Sequence, residues 1–186
     1  MRSPFLIWSP RYEVDIGPHV FPTSKYRLVK EALVASGSAR DDDFAEPPPA
    51  TREELARVHS AEWIRKVMEG DLSPQDEATL EIPFSPQLRD SALLCCGGTL
   101  QATRLALAEG VGIHLGGGFH HAYRDHGEGF CLLNDVAVAL GNLLEDGAVA
   151  RTAVVDLDLH QGNGTAGIFA RDPRVFTFSM RQERNY

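Results

Sequence analysis

The stretch VVDLDLHQGNG, residues 154–164, decides how this chain is read. The run from Thr152 to Leu157 is short, apolar and β-branched, the composition of a strand buried in a sheet. Side chains alternate along a strand with period two. Carried through the strand end, that period puts Asp156, Asp158 and His160 on one face. Val155, Leu157 and Leu159 take the other. Two carboxyl groups and an imidazole on one face lose hydration unless a cation compensates. A divalent metal does so, and Asp with His suits zinc. The same triplet also reads as a core Asp–His hydrogen bond with a capping Asp, and spacing alone leaves both readings open.

A second polar cluster lies upstream. Val111 to Leu115 is another short apolar strand, running into Gly116-Gly117-Gly118-Phe119-His120-His121. Of seven histidines, His114, His120, His121 and His126 fall within thirteen residues. Alone, this segment reads as a glycine-rich turn with solvated histidines. Both clusters, however, sit at the C-terminal ends of strands predicted to be parallel, where open α/β sheets place ligands.

The rest of the chain alternates in the same way. Strands are predicted over Phe5 to Trp8 and 174–178. Helices are predicted over Thr23 to Ala35, from Thr51 to Met68 with a break near His59 and Ser60, over Gln87 to Glu109, over Leu133 to Glu145 and over 164–170. Thr51 with Glu54 is a capping-box pattern. Gly97-Gly98 inside the long helix predicts a packing notch or a kink. Ser38 to Ala50, with three consecutive prolines, reads as an exposed loop, and Gly70 to Pro86 as loop. Asn134 and Asp135 read as a helix cap. His19, His59 and Asp125 read as surface or packing residues. Strands alternating with helices predict an α/β fold, an open parallel sheet flanked by helices, in one domain.

Composition narrows the function. The 186 residues suffice for one substantial core. A net charge of −8 argues against nonspecific nucleic-acid binding and suits a cationic substrate. The cysteines Cys95, Cys96 and Cys131 form no C-x-x-C pair, so reduced thiols and a cytoplasmic location are expected. No signal peptide and no run long enough to span a bilayer are read from the sequence.

These residues carry a family resemblance. GGGFHHAYRDHGEGFCLLND (116–135), VVDLDLHQGNG (154–164), VFTFSM (175–180) and the H-x-F-P-x-x-K-Y pattern at His19 to Tyr26 resemble the zinc-dependent histone deacetylase family. The match is to its class IV and bacterial branch, near the acetylpolyamine amidohydrolases. The resemblance implies an arginase/deacetylase-like fold and hydrolysis of an acetyl amide on a lysine-bearing protein or a polyamine. It implies zinc ligands at Asp158 and His160. It makes His120 and His121 the paired catalytic histidines, with Asp156 as partner of His120 and Asn163 as partner of His121. His121 is the better general base and acid. Gly129 and Phe130 match substrate-binding positions, the glycine carbonyl facing the substrate amide and the ring lining an acyl-lysine tunnel. Asp156, Asp158, His160, Ser179 and Met180 match a potassium site.

The departures are as specific. The family's third zinc ligand is a later aspartate, and its oxyanion-stabilising tyrosine lies further on. Tyr186 falls too early to be that tyrosine, and Glu81 is a poor match for the acidic rim residue of some relatives. The chain therefore reads as the N-terminal portion of a deacetylase, inactive alone, with strand faces left exposed. Two alternatives are an inactive acyl-lysine or metal-binding module and an arginase-like dimanganese ureohydrolase.

Overall fold

A computed structural model describes residues 6–184. Phe5, expected to begin the first strand, and Tyr186 lie outside the described residues. Among the described residues five short strands fall into two parallel sets. Strands β1 (Leu6–Ile7), β2 (Phe44–Ala45) and β3 (Ile113–His114) form one sheet in the order β2-β1-β3. Strands β4 (Thr152–Asp156) and β5 (Val175–Ser179) form the other, with Asp156 in register with Ser179. The expected parallel sheet with flanking helices is present, but it is divided between two hydrogen-bonded sets.

Helices α1 (Lys25–Ala35), α2 (Arg52–Ala56), α3 (Ala61–Glu69), α4 (Pro74–Leu80), α5 (Pro86–Glu109), α6 (Asp135–Glu145) and α7 (Asn163–Phe169) complete the described elements. The capping box at Thr51 and Glu54 opens α2. Ser60 caps α3, so the break expected near His59 separates two helices. The predicted loop 70–86 instead contains α4. Its start signal was in the sequence: Ser73 caps, Pro74 occupies the first turn, and Asp76 closes a capping box while Lys66 bonds it at 2.7 Å.

The predicted exposed loop Ser38 to Ala50 is also corrected. It holds a 3-10 turn at Asp41–Asp43 and strand β2, and Pro47 and Ala50 are buried. The Ala50 N–H donates to the Leu93 carbonyl at 2.9 Å, which fastens the proline run onto α5. Gly97 permits this approach. A Cβ there would stand 1.9 Å from the Pro48 carbonyl oxygen, so the glycine is a notch in a continuous helix. The main core lies between α3, α5 and α6, with Trp63, Leu55, Leu80 and Leu133 fully buried. Trp63 also donates its indole N–H to the Leu132 carbonyl at 3.1 Å.

Strand β4, read as a buried strand, is covered on one face and bare on the other, in line with the strand faces expected to be left exposed. Val154 packs on the core, whereas Val155 is 64% exposed. Leu157, Leu159, Phe176, Phe178 and Met180 are exposed with it, forming an apolar surface. None of the described helices covers that side. Among the described residues no helix is long and apolar enough to cross a membrane.

His59 is a packing residue, 1% exposed. The Asn134 backbone N–H donates to its Nε2 at 3.1 Å. Burial lowers its pKa from 6.5 to about 4, against the opposing pull of the Arg124 and Tyr123 backbones. Between those values the unfolded chain binds the proton and the folded chain does not. Stability is therefore full above the unfolded pKa and falls as pH drops toward the folded one, by up to about 3 kcal/mol for this ring. Urea unfolding at a series of pH values is expected to show that acid-side loss, and His59→Gln is expected to flatten the slope.

Candidate active site

The site is assembled at the mouth of the parallel strands. After β3 the chain enters the glycine loop, where Gly118 takes φ +97°, a backbone conformation that side chains resist. This turn delivers His120 and His121, both largely buried, with ring centroids 4.2 Å apart. Strand β4 ends at Asp156 and α7 begins at Asn163. His120 Nδ1 lies 2.5 Å from Asp156 Oδ2, and His121 Nδ1 lies 2.7 Å from Asn163 Oδ1. Each imidazole is thus oriented through Nδ1, which leaves proton exchange to Nε2.

Extended geometry does not run through the end of β4, as the sequence reading supposed. The Asp158 N–H donates to Asp156 Oδ1 at 3.0 Å, and the His160 N–H donates to Asp158 Oδ1 at 2.8 Å. Two successive side-chain-to-backbone turns replace the pleat. They still bring the named residues together. His160 Nδ1 is 3.3 Å from Asp158 Oδ1, His120 Nε2 is 3.9 Å from that oxygen, and the His121 and His160 rings are 5.9 Å apart.

Electrostatics differ between the parts. Burial holds the His121 pKa below the usual imidazole value, reinforced by His120 and His160 and opposed by Asn163 and Glu128. Burial raises the Asp158 carboxyl, but the His160 N–H and the neighbouring imidazoles outweigh it and leave the pKa low.

A cavity of about 800 Å³ opens over these groups. Gly129 and Phe130 line it. Phe130 has φ +70°, an uncommon conformation for a bulky residue. Its N–H donates to the Leu80 carbonyl at 2.9 Å, and its ring meets His19 edge-on at 4.5 Å. The lining includes two residues that the sequence reading gave no role or a doubtful one, Lys25 and Glu81. The Lys25 ammonium sits 3.8 Å from the Phe21 ring centroid. Burial lowers its pKa, against the attraction of Asp158. Ser179 reaches the site through its side chain and Met180 through its backbone: Ser179 Oγ accepts from the Gly162 N–H, and the Met180 N–H donates to the Asp156 carbonyl at 3.0 Å.

Asp158 and His160 are zinc-type donors. Two ligands about 2.0 Å from a tetrahedral ion stand about 3.3 Å apart, so their spacing suits the ion. Among the described residues no group of three His, Cys, Asp or Glu side chains is placed to hold a metal.

The residue the sequence reading undervalued is Asp135. Asn134 is the cap, accepting from the Ala137 N–H at 2.9 Å. Asp135 is fully buried and reaches back to the glycine loop. Its oxygens accept the N–H groups of Gly118 at 3.0 Å and Phe119 at 2.7 Å, and the Thr99 hydroxyl. Thr99 Oγ1 is 2.8 Å from His114 Nδ1, and His114 Nε2 is 2.8 Å from the Tyr12 hydroxyl. One proton order satisfies the chain: Tyr12 donates to His114, His114 to Thr99, and Thr99 to Asp135. The contact spans seventeen positions, and no linear pattern in the sequence marks it.

Comparison with known proteins places this arrangement. The family model described as "Histone deacetylase domain" matches residues 19–186. An uncharacterized protein of Picosynechococcus sp. is 37% identical over 182 residues, covering 97% of this chain and 61% of that protein. The acetoin utilization protein AcuC of Bacillus subtilis is 31% identical over 199 residues, covering 100% of this chain and 51% of that protein. The crystal structure of an HDAC homolog from Aquifex aeolicus has a TM-score of 0.80 at 26% identity, covering 97% of this chain and 51% of that one. The chain thus spans between about half and three-fifths of the length of these relatives.

Removing the Asp135 acceptor leaves a buried site without its carboxylate and strands two part-buried N–H groups and a hydroxyl. Asp135→Ala is expected to cost about 3–5 kcal/mol in urea unfolding. In hydrogen exchange the amides of Gly118 and Phe119 are expected to lose protection well beyond that global change.

Proposed function

Because the chain belongs to the histone deacetylase family, we propose that it forms the N-terminal part of a zinc-dependent amidohydrolase. Its substrate is an acetylated amine, on a lysine side chain of a protein or on a polyamine. The observation that carries this reading is the pair of adjacent imidazoles, each held through Nδ1, beside the Asp158–His160 pair. Asp158 and His160 would hold zinc, which supplies Lewis-acid polarisation of the amide carbonyl and a more acidic water. The later aspartate of the family pattern would complete the ligand set from chain beyond these residues.

The chain's own groups do the rest. His121, kept mostly neutral by burial, takes a proton from water at Nε2 and returns it to the departing amine. His120, oriented by the Asp156 carboxylate, assists electrostatically beside the reacting carbonyl. Asn163 orients His121 but carries no charge to match an imidazolium. Phe130 and Phe21 give an apolar wall for the methylene stem of an acylated amine, and the Gly129 carbonyl accepts the substrate amide N–H. A potassium ion, if bound, would be held by the backbone near Asp156, Asp158 and His160 with Ser179 and Met180. An arginase-like dimanganese centre is set aside by the family match.

Turnover of an acetyl-lysine peptide and of acetylated polyamines, with zinc content measured alongside, tests this in a chain carrying the full family length. His121→Ala is expected to lower kcat by about 100-fold or more with zinc retained. Asp158→Ala is expected to lose both zinc and turnover. Full activity of the His121 variant would overturn the assignment.

A further inference from the structure

His120 and His121 are oriented by different chemistry, and the difference leads to a residue outside both pairs. His120 meets a carboxylate directly, whereas His121 meets the amide of Asn163. An amide has a donor end and an acceptor end, and only its neighbours decide which end faces the ring. Asn163 Nδ2 donates to Glu128 Oε1 at 2.6 Å. Asn163 Oδ1 faces His121 Nδ1 and also accepts the Gly164 N–H at 2.9 Å.

Glu128 is itself held in place. Its N–H donates to the Cys131 carbonyl at 3.1 Å, and its carbonyl accepts the Cys131 N–H at 2.9 Å. Its second carboxylate oxygen lies 3.5 Å from His126 Nε2. His126 is bonded in turn to Asp125 at 2.8 Å and stacked on Tyr123 at 4.8 Å.

We propose that Glu128 is a positioning residue for His121, acting through Asn163. A carboxylate accepts and does not donate, so it holds the NH₂ end of Asn163 toward itself. A flipped amide would set oxygen against oxygen at 2.6 Å. With the amide fixed, Oδ1 faces His121, and the neutral ring must carry its proton on Nδ1. Nε2 is then the basic nitrogen on the side of the cavity. Glu128 thus does through one intervening amide what Asp156 does for His120 directly. The value of that tautomer to hydrolysis rests on the proposed function, but the tautomer itself does not.

Nitrogen-15 long-range correlation spectra of the histidine rings at pH near 8 read the tautomer in this chain without substrate or metal, with His121→Gln supplying the assignment. His121 is expected as a single Nδ1–H tautomer. In Glu128→Gln, where the side chain can donate or accept and only the Gly164 N–H still favours Oδ1 toward the ring, its ring shifts are expected to move part of the way toward the average of two tautomers while those of His120 stay fixed. Adding Asn163→Asp to that variant is expected to restore the Nδ1–H form, because the carboxylate then acts directly. An Nε2–H tautomer in the parent chain overturns the proposal, as does an unchanged His121 signal in Glu128→Gln. Either result would leave hydrolysis at this site standing, and loss of hydrolysis with the tautomer intact would strike the proposed function alone.

Discussion

Asp135 is the constraint on which the site depends. One buried side chain, at the first residue of α6, accepts two backbone N–H groups of the glycine loop and a hydroxyl from α5. Through Thr99 and His114 it is tied to Tyr12 in the layer beside β1. A loop of glycines has many conformations in water, and ordering it costs roughly 1–2 kcal/mol per residue. The acceptor at Asp135 gives that loop one place to be. The two imidazoles that follow inherit their position from it, and Asp156 and Asn163 then set their rotation.

The alternation of elements, the parallel arrangement and the partners of both imidazoles were legible in the sequence. Strand pattern and glycine punctuation carry that information locally, and the family resemblance supplied the pairing of His120 with Asp156 and of His121 with Asn163. What was not legible depends on contacts across the fold. Residues 70–86 look like loop because α4 is short and polar outside, although Ser73, Pro74 and Asp76 mark its start. Strand β2 is only two residues long and exists because β1 offers it an edge. Asp135 beside Asn134 looked like part of one cap, since nothing in a linear pattern says that a side chain turns back to bond a loop. Glu128 was invisible for the same reason: its partner, Asn163, is 35 positions away.

Phe130 shows how the cavity wall is built. Its unusual backbone angle is held by two bonds from the hairpin to the end of α4, Gly129 to the Thr79 carbonyl and Phe130 to the Leu80 carbonyl. Such a conformation persists only when its surroundings over-determine it. Here the helix missing from the sequence reading fixes the aromatic wall named in it. The bore of the cavity is therefore set by α4 as much as by the residues that face the substrate.

The bare apolar side of β4 and β5 sets the two halves of the site in unequal surroundings. The imidazole pair is wedged between α7, the glycine loop and α6, whereas Asp158 and His160 hang from a strand end supported from one side, with half their side-chain surface in water. The first half is enclosed and the second lies open to water. An ion held there would keep part of its surroundings in water. Whatever packs on the far side of the sheet would bury that apolar surface behind the donors without adding a ligand of its own.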